Sequence, residues 1–263
     1  MVNAIWNRKG PRRALIAGAC GGVGEALAHL LAEEGWELAL AGDNETELYR
    51  VAGVVRARHD VEVVVARADL ARAEGVEALA RRLEERDFRP DVFIHAIETH
   101  LAGKALKTPR ADQLRVIDRD VRAAADLALR LLPHMRAQGA GGVLFVASPG
   151  AFLPGPGRAV AHAGGAWMAS FGEALAEEMR DEGVSIAVLC RGPVGQGRRR
   201  AATGLARLLP ASRPEVVARA GWQGFKEGRV IILPGVLNRM LALIARFLPR
   251  FVSRRLAAWL SGV

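Results

Sequence analysis

Short apolar runs of β character alternate with longer helical stretches along most of this chain, and that alternation limits the possible folds more than any other feature. The runs at 13–18, 37–41, 61–66, 91–96, 142–147, 184–190 and 229–233 are mostly rich in Val, Ile and Leu. They do not alternate strictly with polar residues, as strands buried on both faces should read. Helical stretches at 23–34, 45–58, 73–86, 108–137 and 160–182 separate them. The order predicts an α/β fold: a doubly wound parallel sheet of about seven strands joined by right-handed crossovers.

A chain of 263 residues, 51% of them apolar, can bury one large core and has no second domain's worth of sequence. We read residues 1–234 as that domain and 235–263 as a tail. The two cysteines, Cys20 and Cys190, are no disulfide framework, so a reducing compartment, the cytoplasm, is the expectation. The apolar run before Cys20 is too short to span a bilayer, and glycines break the sequence beyond it. The net charge of +9 raises the question of nucleic acid. However, arginines and acids interleave at Arg67, Asp69, Arg72, Glu74, Arg81, Arg82, Glu84, Glu85 and Arg86, as on solvated helix faces. Zinc-ligand spacing and an aromatic–basic platform for single strands are both missing, so no nucleic-acid partner is expected.

The loop Gly18-Ala19-Cys20-Gly21-Gly22-Val23-Gly24 comes after the first strand and opens the first helix. Glycines there let the backbone turn tightly and approach a pyrophosphate at a helix N-terminus, although such a loop can also be a purely structural turn. Asp43 lies just past the second strand, where a carboxylate accepts from ribose hydroxyls and repels a 2′-phosphate; it could equally cap the next helix. No Arg or Lys in the loop or beside Asp43 welcomes that phosphate, so NAD is favoured over NADP. Asp69 and Leu70, after the third strand, are placed to meet the adenine.

The glycine loop, Asp69-Leu70, the strand leading to Ser148, and Arg191-Gly192-Pro193-Val194 occur in the order found in the short-chain dehydrogenase/reductase family, which this chain resembles from about residue 13 to 233. The resemblance implies a Rossmann-type sheet, a nicotinamide cofactor and an oligomer paired through two long central helices. It also implies cofactor contacts from Gly18, Cys20, Gly22, Val23, Gly24, Asp43, Asp69, Leu70, Ala96, Gly192 and Val194.

The catalytic part of the pattern fails. Family catalysis uses Asn, Ser, Tyr and Lys, with the tyrosine passing the proton that accompanies hydride transfer. Alignment on Ser148 and Phe171 keeps the serine as Ser148 but sets Ala161 at the tyrosine and Gly165 at the lysine. Asp120 replaces the asparagine, Arg191 stands where proline is usual, and the Asn-Asn-Ala-Gly turn becomes His95-Ala96-Ile97-Glu98. No other register restores the motif: Tyr49 is the only tyrosine, and no lysine occurs between Lys107 and Lys226.

Ser148, Asp120, Glu98 and His162 are the candidates for any remaining acid/base work, although one helical step turns His162 about 100° from the Ala161 face. His95, Glu98 and His100 make a short imidazole/acid cluster, but three ligands on one loop are weak grounds for a metal, and none is assigned. The loss of Tyr and Lys also vacates volume that could widen the pocket. Three readings stay open: a degenerate family member acting as a binding or partner subunit, paired with a second copy or with an active paralogue; an enzyme of altered chemistry; or a peripheral membrane protein.

The last reading comes from the tail. Leu237, Met240, Leu241, Ile244, Phe247 and Leu248 share a helical face, Phe251, Val252, Leu256 and Leu260 continue it beyond Pro249, and the interspersed charges are all arginine. Such a stripe suits an anionic membrane face, an oligomer interface or a core. Just ahead of the tail, Ser212-Arg213-Pro214-Glu215 reads as a capping box opening a helix to about Lys226.

Overall fold

The computed structural model describes residues 10–97, 101–147, 149–192, 194, 212–247 and 249–261. Their strands are β1 (Arg12–Ala17), β2 (Trp36–Gly42), β3 (Val63–Arg67), β4 (Val92–His95), β5 (Gly141–Ala147), β6 (Val184–Cys190) and β7 (Ile231–Ile232). All pair in parallel, in the order β3-β2-β1-β4-β5-β6-β7. The chain winds outward from β1 in both directions, so the C-terminal ends of β1 and β4 flank the point where the strand order reverses. Open sheets of this kind bind ligands there.

The helices are α1 (Gly22–Glu33), α2 (Glu45–Arg58), α3 (Ala73–Glu85), α4 (Arg110–Ile117), α5 (Ala123–Gln138), α6 (Ala159–Glu178), α7 (Pro214–Lys226), α8 (Val236–Phe247) and α9 (Arg250–Ser261). Alternate residues of β1 feed opposite layers, as the pleat requires: Ala14 and Ile16 pack with α1, α2 and α7, while Leu15 and Ala17 pack with α3, α5 and α6. Trp36 meets Trp222 edge-on at 5.4 Å, and both are almost fully buried. Glu34 fastens α7 to the end of α1 by accepting from Trp222 Nε1 at 2.9 Å and from Lys226 Nζ at 2.7 Å.

Two expectations are corrected. The helix read at 108–137 is interrupted by a π-helical turn, Asp118–Arg122, between α4 and α5. Apolar periodicity carries no mark of one extra residue per turn, and such turns concentrate at functional sites. The capping box is absent as well. Helix α7 begins at Pro214 and ends at Lys226 as read, but its cap residue is Arg213 and no side chain caps it. Ser212 instead bridges in parallel with Val194.

Candidate functional site: the cleft at the reversal of strand order

The cleft opens between β1, β2 and β4, and its walls enclose about 240 Å³. Gly18, Cys20, Gly22, Asp43, Asp69 and Leu70, all read in the sequence as cofactor contacts, line it, as do Gly21 of the same loop and Ile97 of the altered turn, together with Gly42, Ala68 and Arg119, which the sequence did not single out. Gly18 turns there at φ +92°, with its N–H donating to the Ala41 carbonyl at 2.8 Å. A Cβ at this position would meet the Ala96 carbonyl and Ile97 N at 2.7 Å, so the loop lies against the end of β4. A Cβ at Gly24 would come closer still to the Gly18 carbonyl, so α1 sits close beneath the loop. Val23 and Ala96 are fully buried and support the loop from below rather than lining the cleft.

The first turns of α1 and α2 shape the rim. Asn44, not Asp43, caps α2: its side chain accepts from Glu47 N at 3.2 Å, worth about 1 kcal/mol. Asp43 is thereby left exposed on the cleft wall. The nearby Arg50 is bound to Glu25 and Glu47, and its pKa is raised by those hydrogen bonds. The Cys20 thiol donates to the Asn44 carbonyl at 3.7 Å, and burial pushes its pKa up, so the thiol stays protonated. Asp69 accepts from Ala71 N at 3.1 Å and pairs with Arg115 at 3.2 Å.

A second cavity, of about 30 Å³, lies at the C-terminal ends of β5 and β6 and is lined by Asp120, Ala161, Gly165, Met168 and Arg191 among others. It has room for about two water molecules. The π turn puts Asp120 there, buried, with its carboxylate 3.7 Å from Arg119. Gly164 rests on that turn, 3.6 Å from Asp120 Cβ. Among the described residues, the space beside Ala161 and Gly165 is this void of about 30 Å³. His162 faces elsewhere, as its helical step implies: its Nδ1 donates to the Leu153 carbonyl at 3.0 Å, and burial lowers its pKa. Gly192 is covered by Asn238 of α8, and neither Gly192 nor Val194 lines either cavity. Ser148, Glu98 and His100 lie outside the described residues.

His95 is the site's oddest group. It is fully buried at the end of β4, and neither ring nitrogen has a hydrogen-bond partner among the described residues. Burial first, and the positive Arg119 second, bring its pKa down to about 3. The ring is therefore neutral near neutral pH. Among the described residues no three His, Cys, Asp or Glu side chains converge as metal ligands.

A family model of the short chain dehydrogenases matches residues 12–203. The chain belongs to this family. An uncharacterized oxidoreductase of Staphylococcus aureus is 28% identical over 181 residues, 69% of this chain and 77% of that protein. A solved 7β-hydroxysteroid dehydrogenase superposes with a TM-score of 0.84 at 23% identity, covering 97% of this chain and 99% of its own. A short-chain dehydrogenase from Sphingobium yanoikuyae, solved with NADPH, has a TM-score of 0.78 at 23% identity and covers 89% and 92%.

Within the short-chain dehydrogenase frame, the cleft fits the adenosine and pyrophosphate part of a dinucleotide. The glycine cradle is closed to any Cβ at Gly18, and it opens at the N-terminus of α1, where backbone N–H groups attract phosphate. Its volume is below the about 300–1,000 Å³ of complete ligand pockets, so these walls have room for only part of such a molecule. Arg119, missed in the sequence, carried one signal there: it directly precedes Asp120, the residue at the family's asparagine position.

Proposed function

We propose that this short-chain dehydrogenase family member binds a nicotinamide dinucleotide without reducing carbonyls, and that it serves as a binding or partner subunit. One observation carries the reading. The cavity where the family needs a tyrosine and a lysine is bounded by Ala161, Gly165 and Asp120, while the only tyrosine, Tyr49, is exposed on α2. A bound nicotinamide would supply hydride chemistry, but the chain offers no phenol to move the accompanying proton. What its residues do is bind and orient: the glycine cradle holds phosphate, Asp43 faces the ribose, and neutral His95 packs behind the loop.

The partner is a second copy or a related family member, met through α5 and α6. Leu129 of α5 is 57% exposed, and Trp167 and Phe171 stack at 4.7 Å on a half-buried face of α6. A second reading, altered acid/base chemistry, is favoured by one observation, the buried Asp120 carboxylate beside Arg191 in the small cavity.

Asp43 argues for NAD, because a 2′-phosphate would meet its carboxylate. Calorimetric titration with NADH and NADPH is expected to show NADH the tighter by about tenfold, a difference of about 1.4 kcal/mol, with the preference erased in Asp43→Ala. Tighter NADPH binding, or a preference indifferent to Asp43, would overturn the assignment. If neither nucleotide binds, the cleft is only a structural remnant.

A further inference from the structure

We propose that α8 and α9 dock flat on an anionic lipid surface. Val236, Met240, Leu243, Ile244 and Phe247 fall within about 100° of arc on α8. The structure leaves that arc in solvent: the five side chains are 51–78% exposed, and Phe251, at the start of α9, is 62% exposed. The helix pair is already seated on the domain by other residues. Asn238 donates to the Pro234 carbonyl at 2.7 Å and covers Gly192, while Ser253 and Ala257 are buried. The chain's own core therefore does not claim the stripe, and a contiguous exposed apolar face of this size marks an interaction surface.

Charge selects the occupant. From Arg229 to Val263 the sequence has six arginines and no acid. Arg239 of α8 lies next to the stripe in helical projection, with Arg254 and Arg255 exposed on α9. A second copy meeting this face through a two-fold axis would set arginines against arginines. Anionic headgroups instead neutralise them while the aliphatic and aromatic side chains enter the headgroup boundary. None of the described helices is long and apolar enough to cross a membrane, which suits a helix pair lying in the plane of the surface. Helix α8 also touches the turn Pro149–Phe152 just after β5, so the docking face lies at the end of the sheet that carries the cleft.

Flotation of the full chain with vesicles tests this. Vesicles containing phosphatidylglycerol should carry the protein at least about tenfold better than phosphatidylcholine alone, with the difference lost in high salt. Leu243→Glu with Phe247→Glu should lower that binding about tenfold or more, and so should Arg254→Gln with Arg255→Gln. Because these side chains are exposed, an unchanged unfolding transition shows that the variants remain folded. Equal recovery on both lipids, or binding indifferent to the variants, overturns the proposal. So does a lipid-free dimer that Leu243→Glu with Phe247→Glu converts to monomer without any lipid binding, which would assign the face to a second copy.

Discussion

Gly18→Ala is expected to destabilise the protein by about 2–5 kcal/mol and to remove measurable NADH binding. Two costs combine. A φ of +92° disfavours any L side chain, by about 1–2 kcal/mol, and the new methyl must displace backbone of Ala96 and Ile97 at 2.7 Å, an overpacking worth about 1–3 kcal/mol. No flexible side-chain end can yield there, so the strain passes to β4 and to the loop that faces the pyrophosphate. Gly35 supplies the control. It also has a positive φ, +79°, but open space around its would-be Cβ, so Gly35→Ala should cost only the conformational part and leave nucleotide binding intact. Urea unfolding with a parallel NADH titration measures both. Similar losses for the two variants would contradict the close packing of the loop on β4.

Acidification should weaken the fold through His95. Its folded pKa, about 3, lies below the ordinary 6.5 of the unfolded chain. Above 6.5 both states are neutral and the stability of the buried ring is fully present. As pH falls below 6.5, the unfolded chain takes a proton that the native ring refuses, and stability declines until the pH passes below about 3. The slope approaches about 1.4 kcal/mol per pH unit. His162 is shifted in the same direction and stays in place when His95 is changed, so the difference between wild type and His95→Asn isolates the one ring. His95→Asn should unfold with a shallower pH dependence, by about one proton, whatever its stability at neutral pH. An identical slope in the two proteins would show that His95 is not buried neutral.

The interior of the fold was legible because both-sided burial leaves long apolar runs: β6 matches its expected span, and the other six strands lie within about two residues of theirs at each end. The glycine loop was legible for a related reason, since only a close backbone approach needs that spacing. What the sequence hid was set by tertiary context. Nothing in the spacing of 108–137 marks the π turn that buries Asp120 and aims Arg119 at the cleft. The choice between Asp43 and Asn44 as the cap of α2 depends on a single backbone conformation, and Asn44 takes it. Ser212 looked like a cap but instead bridges Val194. The tail's stripe was compatible with core, interface or lipid contact, its arginines tipping it toward lipid, and the folded chain shows Met240, Ile244, Phe247 and Phe251 of it facing solvent.

The same limit applies at the catalytic positions, where the sequence establishes the missing tyrosine and lysine but not what the substitutions leave behind. Among the described residues, the structure leaves a void of about 30 Å³ beside the buried carboxylate of Asp120. Mixing the full chain with NADH and a panel of ketones, and monitoring nicotinamide absorbance alongside NADH fluorescence, tests this account most directly. The expected result is saturable NADH binding with no ketone-dependent loss of absorbance above the rate without protein. Sustained oxidation of NADH that saturates with a ketone would contradict it.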